Sequence, residues 1–147
     1  MEREELREAL DRDELNYPAL AEKAGPESID DLEALVAEDE PRIAPKAAYL
    51  AALINAEGSD RVVDLAARSR HDVVRASAAA ALGSLTQAGA APIADRLLAD
   101  PDVGIRARTV KSVGSLGGDI QRSLRKVADE DDDPAVRELA EEELSGD

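Results

Sequence analysis

Few side chains in this sequence are of the types that reactions require, and their spacing argues against catalysis. His71 is the single histidine, the one side chain whose ordinary pKa would let it trade a proton near neutrality. Nucleophilic catalysis needs such a base beside an activated hydroxyl or thiol. Cysteine is absent, only Ser69 stands close to His71 in sequence, and nothing in the spacing links the two. His71 is therefore expected to be a loop residue at a helix start, and no catalytic residue is assigned. Asp129, Asp131 and Asp133 alternate within a run of five acids, as carboxylates do in a calcium-binding loop. Such a loop needs glycine at its sixth position and a bidentate glutamate at its twelfth; Pro134 and Ala140 stand there. A solvated acidic turn is the expectation, with no metal and no cofactor.

Binding chemistry is better represented. Arg106, Arg108, Lys111, Arg122, Arg125 and Lys126 fall within 21 residues that hold one acid, Asp119. They do so in a chain of net charge −15. Residues 1–40 hold 15 acids and 4 bases, net −11, and residues 129–147 hold 10 acids and 1 base, net −9. Residues 41–128 hold 8 acids and 13 bases, net +5. Such asymmetry is a partner signal, and it is equally what a basic middle balancing acidic, solvated ends would give. Nucleic acid is the weaker partner class. Total charge repels phosphate, and neither Phe nor Trp is present to stack on bases.

Helices must position these residues. Alanine, the best helix former, occurs 28 times. The β-branched residues recur at helical spacing without strand-like alternation. One pattern repeats: an aliphatic residue, Arg, then small residues closed by an apolar one seven positions on. It reads Val74-Arg75 to Leu82, Ile105-Arg106 to Val113 and Val136-Arg137 to Leu144, with the arginines 31 residues apart. A weaker copy has Lys46 and Leu53. A period of this length signals stacked helix pairs. The reading is all-α: about four pairs over 28–58, 59–89, 90–118 and 119–147, after an N-terminal helical cap, 1–27. Ser28 is expected to cap one helix, and another is expected to start near Ala91. Asp133-Pro134 is a strong helix start.

Val74 through Leu85 resembles the second helix of a HEAT repeat, most closely the short HEAT-like repeats of phycobilisome-lyase relatives. Asp100-Pro101-Asp102 through Leu116 and Asp132-Asp133-Pro134 through Leu144 follow the same pattern. The resemblance covers about 59–144 well, 28–58 weakly, and 1–27 not at all. It implies a right-handed α-α superhelix with the second helix of each pair on the concave side. It also implies a ladder between neighbouring repeats, with Asp102 and Asp133 as acids and Arg75, Arg106 and Arg137 as bases. HEAT-like deoxyhypusine hydroxylases bind iron through His-Glu pairs, which this sequence lacks. HEAT-like alkylpurine glycosylases use aromatic residues in a basic groove, and no tetrapyrrole pocket is evident.

Where the copies differ is more informative. The expected concave face carries Ala76, Ser77 and Ala80, then Arg108 and Lys111, then Glu138 and Glu142. Small residues permit close approach of a partner backbone. The expected function is a non-enzymatic scaffold or adaptor that binds another protein there, such as an acidic or helical segment. The alternatives are a weak nucleic-acid binder through 106–126 or an accessory subunit of an enzyme complex. No membrane span and no signal-like start are read, so a soluble, cytoplasmic protein is expected. The acid surplus, with 4 Lys against 14 Arg, suits a salt-adapted or high-GC prokaryotic source. If so, thermal melting should shift upward in molar salt as self-repulsion is screened. Equal melting in dilute buffer would count against salt adaptation.

Overall fold

Apolar residues three and four apart give each helix one buried stripe, and capping residues set its ends. The computed structural model describes residues 1–146, with ten α-helices and no strand among them. They are α1 Arg3–Leu10, α2 Tyr17–Ala24, α3 Ile29–Ala37, α4 Ala44–Ile54, α5 Ser59–Ala67, α6 Asp72–Ala81, α7 Gln87–Leu97, α8 Val103–Val113, α9 Asp119–Glu130 and α10 Pro134–Ser145. Asn16, Thr86, Asp102 and Asp133 each cap a helix with a side-chain oxygen that accepts a backbone N–H.

The helices form two layers. In one, α1, α3, α5, α7 and α9 pack in series; in the other, α2, α4, α6, α8 and α10 do so. The core lies between them. It is continuous from Leu6 and Leu10 to Val136 and Ala140 and is built from Leu, Ile, Val and Ala alone. In α4, Ala47, Ala48, Leu50, Ala51 and Ala52 are all fully buried. Alanines there bring neighbouring backbones close: the Ser77 hydroxyl on α6 donates to the Pro45 carbonyl on α4 at 2.6 Å.

Three local expectations are corrected. Ser28 does not cap α3; its hydroxyl donates to the Ala24 carbonyl within a 3-10 turn, Pro26–Ser28. The seventh helix begins at Gln87 rather than near Ala91, because Thr86 supplies the cap four residues earlier and Pro92 is accommodated inside. The sixth ends at Ala81 and passes into a 3-10 turn, Leu82–Ser84. Between α8 and α9 the chain turns through Gly117 and Gly118, with φ of +72° and +61°, a region that disfavours any Cβ.

Residues 1–27 pack on the stack as a helix pair in register with the others, α1 against α3 and α2 against α4. Arg3 pairs with Asp31, Arg7 with Glu38 and Arg42 with Asp11, all at the surface. Lys46 donates to the carbonyls of Leu10 (2.9 Å) and Arg12 (3.0 Å). The Arg7 guanidinium, hydrogen-bonded to Glu38, holds that carboxyl below its ordinary range. A depressed carboxyl stabilises the fold above its unfolded pKa, and the contribution disappears as pH falls through the folded value. Amide exchange in α1, corrected for its intrinsic pH dependence, should therefore accelerate on acidification below the carboxylate range. Glu38→Gln should show part of that acceleration already at neutral pH.

Candidate functional site

The repeated arginines lie on the second helices of the last three described pairs, and Arg75 and Arg106 reach the turn of the next pair. Arg75 Nε lies 2.9 Å from Asp100 Oδ2, and its Nη1 donates to the Ser69 carbonyl at 3.1 Å. One repeat later Arg106 Nε lies 3.0 Å from Asp131 Oδ2, and its Nη1 donates to the Asp100 carbonyl at 2.9 Å. Arg137 continues the series by donating to the Asp131 carbonyl at 2.6 Å. The side chains of Asp100 and Asp131 are 5% and 6% exposed, so these are desolvated pairs.

The acids of the ladder are thus Asp100 and Asp131, not Asp102 and Asp133. Asp102 and Asp133 point into their own helices, accepting from the Ile105 N–H and from the Ala135 and Val136 N–H groups. The reason is local. An aspartate just before a helix is best used on the free N–H groups of the first turn. The acid two residues earlier, whose second oxygen accepts the N–H of that cap residue, is left facing the arginine. Asp100 and Asp131 are 31 residues apart, as the arginines are, but so are Asp102 and Asp133, and spacing alone does not choose between the two pairs. In the preceding turn the same position is Ser69, so no charged rung forms there. Ser69 Oγ donates to Asp39 and accepts the His71 N–H. Its hydroxyl is therefore not on the His71 imidazole, which lies beside Asp39 instead. Asp131 and Asp133 are likewise engaged, by Arg106 and by helix capping, which removes two carboxylates from any calcium loop.

The basic cluster is divided by the fold. Arg106 belongs to the ladder. Arg122, Arg125 and Lys126 are exposed on α9, in the odd-numbered layer. Only Arg108 and Lys111 remain on the even-numbered layer, both exposed on α8. They line one end of a trough that crosses that layer. Its α8 part is formed by Ala80, Gly104, Ala107, Arg108, Lys111 and Ser112. It continues past Ala76 and Ser77 to Val73, Pro45, Tyr49 and Tyr17.

Of the residues expected on a partner face, Ala76, Ser77, Ala80, Arg108 and Lys111 come together in this trough. Ser77 is half-buried and its hydroxyl is used on Pro45, so it contributes shape more than hydrogen bonding. Glu138 and Glu142 are exposed on α10, outside the trough lining. Sequence reasoning missed the far end. Tyr17 and Tyr49, the chain's only aromatics, meet edge to face with ring centroids 4.8 Å apart. Partial burial, and secondarily Tyr49, raise the Tyr17 phenol above its ordinary pKa. The two residues are 32 apart, close to the repeat period, and that spacing was the available clue.

Residues 59–145, which carry the Arg–Asp ladder, match a family model described as HEAT repeats. This chain belongs to the HEAT-repeat family. The match covers both charged rungs of the ladder and three of the five helix pairs. No curated protein matches the chain. The two N-terminal pairs, outside the matched range, extend the HEAT layers without carrying the Arg–Asp rungs.

Proposed function

We propose that this HEAT array is a non-enzymatic interaction module that binds another protein on its even-numbered layer. HEAT repeats commonly mediate protein–protein interaction, and the layer in question is the one expected to be concave. The supporting observation is a mismatch in charge pairing. Arginines 3, 7, 42, 61, 68, 75 and 106 each have a carboxylate within 4 Å. Arg12, Lys23, Arg96, Arg108, Lys111, Arg125 and Lys126 have none among the described residues, and of these Arg108 and Lys111 are the two that border an open floor of small side chains. Within the family we place the chain among the short HEAT-like repeats related to phycobilisome lyases, on the regular 31-residue spacing. No described helix is long and apolar enough to cross a membrane.

Nucleic acid is disfavoured because the six bases of 106–126 no longer form one surface. One goes to the ladder, two face the trough, and three lie on the other layer. The discriminating experiment is affinity capture with and without nuclease. Recovery of one stoichiometric protein after nuclease treatment is expected; loss of every partner would overturn the proposal. Arg108→Glu with Lys111→Glu should weaken capture about tenfold or more, as reversal of charges facing a partner does, with an unchanged thermal melt. Unchanged capture by a folded double variant would remove this face from consideration.

A further inference from the structure

The trough has a chemical direction, and this inference rests on the interaction reading above. Not one of the residues lining it is acidic, although the chain contains 33 acids. Its two ends differ. At the α4 end, Tyr17, Tyr49 and the 50%-exposed Val73 present rings and methyl groups beside Lys46, whose ammonium is held by the Leu10 and Arg12 carbonyls. At the α8 end, Arg108 and Lys111 present positive charge with no carboxylate partner among the described residues. Of the other cations on the even-numbered helices, Lys46 is used on two carbonyls, Arg75 and Arg106 on buried aspartates and Arg137 on the Asp131 carbonyl, while Lys23 on α2 lies outside the trough lining. Beyond α8 the layer turns negative, with Glu138, Glu141 and Glu142 exposed on α10. That edge repels an anionic occupant and stops it at α8.

We infer that the occupant is an acidic segment of another protein that carries one aromatic or large aliphatic anchor. The anchor sits against Tyr17, Tyr49 and Val73, and the carboxylates sit on Arg108 and Lys111. Packed helices lie about 9 Å apart, so α4 and α8 are separated by two steps, about 18 Å. An extended chain spans that distance in about five or six residues and a helix in about twelve. The cations supply orientation and on-rate, and the rings supply the desolvated contact. A second copy of this chain is a poor occupant, because two bodies of net charge −15 repel each other.

The test is selection of a display library of random 16-residue peptides on the intact chain. Recovered peptides are expected to hold a cluster of Asp or Glu at a fixed distance from one Trp, Phe, Tyr or Leu. The distance itself reports whether the bound segment is extended or helical. Arg108→Glu with Lys111→Glu should lower the affinity of a selected peptide about tenfold or more, and Lys replacing its acids should restore binding to that variant. Tyr49→Ala should weaken both pairs. Peptides without acidic preference that need Tyr49 but not Arg108 would overturn this inference and leave the even-layer reading standing. Peptides that need neither end, or no enrichment at all, would remove both.

Discussion

Asp100→Ala is expected to destabilise the fold by about 3–5 kcal/mol, the usual cost of leaving one member of a buried ion pair without its partner. Asp102→Ala, two residues away, should cost about 1 kcal/mol, the usual value of an N-cap. The sequence makes the two aspartates look interchangeable. The structure does not: the Asp100 carboxylate receives the Arg75 guanidinium and the Asp102 N–H and is almost wholly buried. Its loss strands a guanidinium that is itself only 17% exposed. Chemical denaturation of the two variants decides the matter, and equal losses would mean that the ladder contributes nothing beyond helix capping. Replacing both Arg75 and Asp100 by apolar residues of similar volume should recover most of the stability, since the pair's desolvation cost disappears with it.

The second large effect separates residues that the repeat makes equivalent. Leu82 and Leu144 both close the small-residue run of their copies. Leu82 is fully buried in the 3-10 turn after α6, against α7, α8 and α4. Leu144 is only partly buried on the last helix. Leu82→Ala should therefore cost about 3 kcal/mol, within the range for a leucine that leaves a cavity. Leu144→Ala should cost less than half as much, because water already reaches that site. Denaturant midpoints of the two variants test this, and repeat stacks need a check for partial unfolding before a single free energy is assigned. A loss at Leu144 equal to that at Leu82 would show that the last pair is covered in solution.

The same distinction runs through the functional face. The repeat identified Arg75, Arg106 and Arg137 as one kind of residue, and the contrast between copies picked out Arg108 and Lys111. Both readings needed only periodicity. What periodicity could not assign was which of two aspartates an arginine reaches. That choice depends on the direction of a side chain at a helix start, where capping competes with cross-repeat pairing. Tyr17 and Tyr49 stand close to one repeat period apart, but residues 1–27 carry no repeat signature of their own, so that spacing by itself did not establish the contact.

The sequence by itself determined the helical class and the stacking period. These follow from residue type and spacing along one chain direction, which local helix geometry converts directly into faces. Only the tertiary structure decided that α1 and α2 continue the layers, that Asp100 and Asp131 form the ladder, and that six clustered bases separate onto two surfaces. Those outcomes depend on how neighbouring pairs rotate and approach, and alanine-rich contacts in α4 and α6 set that approach at the scale of single side chains.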